Sequence, residues 1–174
     1  MTSYLVLTII GDDKPGLVES LSQTIADNNG NWLESQMSQL AGKFAGILRV
    51  SVSDANAEQL IEQLQQRCGS LKMQIERVSL ASVAHKPTTL VLNLVANDRP
   101  GIIKEISAAL AKLHVNVEKL HSECTNAPMS SEPLFKATVR LSMPEGLSLE
   151  TLQTELENIA DDLMVDINPN TEPG

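Results

Sequence analysis

Two pentapeptides bring together the side chains from which a small-ligand site can be built: DDKPG over 12–16 and NDRPG over 97–101. Acid, base, proline and glycine come in the same order, 85 residues apart (97 − 12), each time ahead of an apolar helical pattern. Proline pushes the residue before it out of the helical region, so Lys14 and Arg99 are expected to be extended. Pro15 and Pro100 then fall at the first helical position, where the missing N–H costs nothing, with Gly16 and Gly101 in the first turn. A glycine there lets another group approach the backbone closely. The unsatisfied N–H groups of a helix start favour an anion such as a carboxylate. Asp13 and Asp98, just upstream, can accept hydrogen bonds from an ammonium. A zwitterionic amino acid offers both groups a few ångströms apart. A purely structural reading of the same residues also stands: the aspartates cap the helices, and the glycines permit close helix–sheet packing.

The elements around each turn also repeat. The apolar run Tyr4 to Ile10 reads as a buried strand, and Thr89 to Ala96 is its counterpart. After the turns, Leu17, Val18, Leu21 and Ile25 share one helical face, as do Ile102, Ile103, Ile106 and Leu110. The first helix should stop at DNNGN, where Asn and Gly favour chain reversal. Asparagine opens the second strand of each half, Asn31 and Asn116, again 85 apart. The third strands start near Phe44 and Phe135, 91 apart, which places about six additional residues (91 − 85) in a longer loop over 124–134. A second helix follows in each half, with stripes Ala57, Leu60, Ile61, Leu64, Cys68 and Leu149, Leu152, Leu156, Ile159. Alternation over Leu71, Met73 and Ile75, and the run LMVDI, supply the last strands. Each half therefore reads β-α-β-β-α-β. That is an α+β, ferredoxin-like unit, an antiparallel sheet with both helices on one face. The expected layout is an N-terminal unit over 1–80, a linker over 81–88, a C-terminal unit over 89–168 and a frayed tail over 169–174. Units of about 80 residues have marginal cores, so they are expected to pack on each other or to form a homo-oligomer.

The 174 residues carry 13 basic and 22 acidic side chains, a net charge of −9, and no basic stripe. Direct nucleic-acid binding is therefore not expected. No run approaches the ~18 apolar residues of a membrane span, and the start does not read as a signal peptide. Two cysteines, Cys68 and Cys124, are too few for a disulfide framework, so a cytoplasmic address is expected.

The D-[KR]-P-G turn after strand one, with asparagine opening strand two, resembles the ACT domain, and the likeness covers both halves. ACT domains are regulatory modules that commonly bind amino acids. A tandem pair without a catalytic domain is similar to the glycine cleavage system repressor group. That resemblance implies a non-enzymatic regulator that contacts a DNA-binding activator directly, with glycine as its signal. It also implies a ligand site between adjacent ACT units, made by Asp13, Gly16 and Asn31 or by Asp98, Gly101 and Asn116. The chain departs from some amino-acid binders, which carry asparagine in place of Asp13 and Asp98 and histidine in place of Gly11 and Ala96.

Other constellations point nowhere. His85, His114 and His121 are scattered, and His121, Glu123 and Cys124 lack metal-ligand spacing. Cys68 reads as a core residue, and Cys124 has no base beside it. Arg49 and Arg140 recur at equivalent strand positions. With no Walker A, G-x-S-x-G or G-x-G-x-x-G, no enzyme, metal or cofactor is expected. The alternative to a sensor is an interaction or dimerisation module with no ligand.

Overall fold

A computed structural model of the chain describes residues 1–79, 88–126 and 132–169. The chain divides into two units, Met1–Ser82 and Val83–Gly174. The first comprises β1 (Thr2–Asp12), α1 (Leu17–Asp27), β2 (Asn31–Leu40), β3 (Lys43–Ser53), α2 (Asp54–Arg67) and β4 (Leu71–Val78). The second repeats that order as β5 (Thr88–Asn97), α3 (Ile102–Lys112), β6 (Asn116–Asn126), β7 (Pro133–Met143), α4 (Leu149–Glu157) and β8 (Met164–Pro169). Both sheets are antiparallel and four-stranded, in the orders β2-β3-β1-β4 and β6-β7-β5-β8. Thr88 thus opens β5 rather than ending a linker, and Pro169 closes β8. The rest of the expected linker and tail lies outside the described residues.

Alternation along β1 sends Leu5, Leu7 and Ile9 to one face, where Leu48, Val50 and Val52 of β3 join them. Leu21 and Ile25 of α1 and Ala57, Leu60 and Leu64 of α2 close over that face. The second core repeats the pattern with Leu90, Leu92 and Leu94 beneath Ile106, Leu110, Leu152 and Leu156. Cys68 is buried with the first core, as its place on the helical stripe suggests. Val18 and Ile103 do not join the buried face. They are 47% and 38% exposed; the helices begin at Leu17 and Ile102, two residues later than expected, and bury the stripes Leu21, Thr24, Ile25 and Ile102, Ile106, Leu110 instead. Leu149 is likewise exposed at the start of α4.

Two local devices fix the frame. β2 and β3 are joined by Ala41 (φ 50°) and Gly42 (φ 76°), the pair of positive φ values that a two-residue hairpin demands. α4 is capped by Ser148, whose hydroxyl accepts the Thr151 N–H at 3.1 Å. Ser148→Ala is expected to cost the C-terminal unit about 1 kcal/mol in chemical denaturation, the usual value of an N-cap. The additional residues of the second half fall at 127–132, so Cys124 to Asn126 and Pro133 to Leu134 belong to strands and not to the loop. Residues 127–131 lie outside the described part.

Candidate functional site

Each Pro-Gly turn leads from the end of the central strand into the first helix, and its geometry corrects the expectation in one respect. The helices start at Leu17 and Ile102, so Pro15 and Pro100 lie ahead of the first turn, and Gly16 and Gly101 are the N-cap residues. Both glycines are left-handed, φ 89° with ψ near 0°. In the second unit the Ile102 N–H donates to Arg99 O at 3.3 Å across Pro100-Gly101. Proline first, then glycine at positive φ, is the signature of a type II turn. Glycine is therefore required for its backbone angle and not for a close neighbour. A Cβ at Gly101 would meet nothing within 4 Å, and at Gly16 only Glu19 Oε2, at 4.0 Å. No side chain caps either helix, so the aspartates do not serve as caps. Gly16 O accepts the Ser20 N–H and Gly101 O the Glu105 N–H, at 2.9 and 3.1 Å. The N–H groups at the start of α1 remain for an anion, whereas in α3 the first of them, Ile102 N–H, is taken by Arg99 O.

The backbone of each aspartate is pinned the same way. Asp13 N–H donates to Gly42 O and Asp98 N–H to Pro133 O, both at 2.9 Å. The corner thus rests on the β2–β3 hairpin in one unit and on the start of β7 in the other.

The asparagines lie elsewhere. Asn31 pairs with Ser51, which pairs with Tyr4, while Asp13 lies beyond the Asp12–Lys43 end of the same sheet. Eight residues (12 − 4) separate those rows, about 26 Å of strand. Asn116 is related to Asp98 in the same way, through Ser142 and Thr89. The aspartate and asparagine of one unit therefore sit at opposite ends of its sheet and cannot touch the same small amino acid. The separation arises because β2 runs antiparallel to β3, so its first residue starts from the end of the sheet far from the turn.

Around the corner the two units diverge electrostatically. Asp12 pairs with Lys43, its register partner, and the hydrogen bond from that ammonium lowers its pKa. Arg99 reaches Glu105 through both terminal nitrogens, at 2.9 and 2.5 Å, which lowers the Glu105 carboxyl below its usual 4.5 and raises Arg99 further. Because the folded-state pKa is depressed, stability from this pair is present above the usual glutamate range and is lost as pH falls through the lowered value. Arg99→Gln should therefore move the Glu105 titration midpoint upward toward 4.5 in a carboxyl-detected NMR titration. Cys124 is exposed on β6. Desolvation first, and then the neighbouring Asp98 carboxylate, raise its thiol pKa, so it is not an activated nucleophile.

Two concavities lie away from the turns. One of about 830 Å³ in the C-terminal unit is lined by His114, Asn116, Ser142, Glu145 and neighbours. The other, of about 300 Å³, lies over β1, β2 and β3 in the N-terminal unit, beside the ion pair Arg49 Nε–Glu34 at 3.1 Å. Arg140 Nε and Glu118 repeat that pair at 3.4 Å, so the recurring arginines brace the bulged edge strands. No group of His, Cys, Asp and Glu able to hold a metal ion occurs among the described residues.

A family model described as the ACT domain matches residues 3–77, and another with the same description matches 90–161. The chain is a tandem ACT-domain protein. Over 155 residues it is 27% identical to the glycine cleavage system transcriptional repressor of Escherichia coli (strain K12), covering 87% of this chain and 80% of that protein. The Shigella flexneri protein of the same name matches equally. Among solved structures, a protein of unknown function from Galdieria sulphuraria superposes with a TM-score of 0.87 at 24% identity, over 97% of this chain and 99% of its own. A structure provisionally described as a glycine cleavage system transcriptional repressor reaches 0.67 at 20% identity, over 97% of both chains. At these identities the solved structures establish the fold of the tandem ACT protein, two βαββαβ units in one chain. No helix among its described residues is long and apolar enough to cross a membrane.

Proposed function

We propose that this tandem ACT protein is a non-enzymatic regulator that senses a small amino acid, glycine foremost, and acts by binding a DNA-binding activator. The observation that carries this reading is the doubled Asp-[Lys/Arg]-Pro-Gly corner, which presents an uncapped helix start and an aspartate in a protein similar along most of its length to a transcriptional repressor. The ligand carboxylate would meet the N–H groups beyond Gly16 or Gly101, and its ammonium would meet Asp13 or Asp98. An Asn31 or Asn116 contact to the same ligand would have to come from a different ACT unit, given the separation within one sheet. The net charge of −9 supports a protein partner over DNA itself.

Capture of partners from a cell lysate, with and without glycine, tests the regulatory half. An activator whose retention changes with glycine supports the switch. Retention indifferent to every amino acid favours the second reading, a ligand-free interaction module. That reading draws on the edge strands β2 and β6, where Leu40, Val117 and Leu120 are 79, 40 and 49% exposed.

A further inference from the structure

We infer that the N-terminal unit carries a further small-molecule site, away from its Pro-Gly corner. It is the hollow beside Arg49 on the helix-free face of the sheet, and its ligand is an amino acid with a branched aliphatic side chain.

Arg49 lies between the buried Leu48 and Val50 of β3, so strand alternation sends its side chain to the face that α1 and α2 leave open. Its register partners are Val6 on β1 and Glu34 on β2, so the three form one row across that face. A bulge at Leu33 makes the row possible. Trp32 pairs with Val50 and Glu34 with Arg49, so the additional residue brings the carboxylate, rather than Leu33, beside the guanidinium. Ile47, on the same face, is 50% exposed. Val6, Glu34, Gln36, Ile47 and Arg49 are among the residues lining the hollow, whose volume of about 300 Å³ suits a small ligand.

The guanidinium in this hollow is unsatisfied. Arg67, Arg77 and Arg99 each donate a terminal N–H to a carboxylate, at 2.6, 2.6 and 2.9 Å. Arg49 makes no hydrogen bond among the described residues. Its Nε, closed to solvent, lies 3.1 Å from Glu34 Oε1, a charge contact without hydrogen-bond alignment. Leaving such donors without an acceptor is costly, and the two terminal nitrogens match the oxygens of a carboxylate. Glu34 keeps its other oxygen for an ammonium. A bare anion would be repelled by Glu34, whereas a zwitterion satisfies both partners at once. Val6 and Ile47 then offer apolar surface to an aliphatic side chain, which glycine lacks. Nothing here uses Asp13 or Gly16, so the inference stands or falls apart from the corner.

The experiment is calorimetric titration of L-valine into the full-length chain and into Arg49→Gln, Glu34→Gln and Asp13→Ala, with the amide shifts that valine induces read by NMR. The inference requires saturable binding and shifts centred on Val6, Ile47 and Arg49. It also requires a loss of about tenfold or more in Arg49→Gln and in Glu34→Gln, and a change below about twofold in Asp13→Ala. Isovalerate, which lacks only the ammonium, should bind about tenfold more weakly or worse. The Trp32 unfolding transition reports whether each variant is folded, and Glu34, on the exposed edge strand, can be changed without disturbing the core. No binding of valine, shifts confined to the Pro-Gly corners, or unchanged affinity in a folded Arg49→Gln or Glu34→Gln would overturn the inference. Glycine binding at a corner, titrated separately into Asp13→Ala, is untouched by each of those results.

Discussion

Leu7→Ala is expected to lower the stability of the N-terminal unit by about 2–5 kcal/mol, the range for truncating a fully buried leucine. Leu7 has no accessible surface. It lies on the central strand, with Leu48 and Ile75 as its register partners on either side. Its side chain points into the layer that α1 and α2 cover, and a strand flanked on both edges cannot shift to fill the space. The chain offers a convenient probe. Its single tryptophan, Trp32, lies in β2 of this unit and packs against the same core, so its fluorescence follows the N-terminal transition alone. Denaturant titration read at Trp32 should show the midpoint fall with little change in slope. A midpoint within error of the unaltered protein would show that the core is not packed as described.

Gly46→Ala should have the next largest effect, for the opposite reason. Gly46 lies in β3 between Ile9 of β1 and Met37 of β2. A Cβ there would come within 2.5 Å of Gln36 O and 2.6 Å of Met37 Cγ. Neither the carbonyl nor the strand that carries it can yield without breaking ladder hydrogen bonds, so the edge strand must lift. Overpacking of this kind costs about 1–3 kcal/mol, and the loss should appear first as faster amide exchange along β2. The contrast with Gly16 is instructive. There a Cβ has room, and the penalty of a substitution is the left-handed backbone alone.

Most of the fold was legible because one signal was written twice. The apolar runs, the Pro-Gly turns and the helical stripes recur at a fixed spacing, and the jump from 85 to 91 located the insertion at the hairpin between the second and third strands. Local pattern served less well where geometry depends on tertiary pairing. The Asp-[Lys/Arg]-Pro-Gly stretch fits a helix start with proline inside it, yet a type II turn places proline two positions ahead of the first helical residue, and Val18 and Ile103 stay outside the buried stripe. The candidate site was legible only in half. Each turn sits at the end of the central strand as its sequence implies, but antiparallel pairing carries Asn31 and Asn116 to the far end of their sheets.

Calorimetric titration of the intact chain with the proteinogenic amino acids, glycine first, tests the central claim most directly. A saturable heat with glycine, at millimolar concentration or below, is the predicted result. Flat titrations with every amino acid, from a sample whose Trp32 unfolding transition is cooperative, would contradict the account and leave a tandem ACT protein that binds only other proteins.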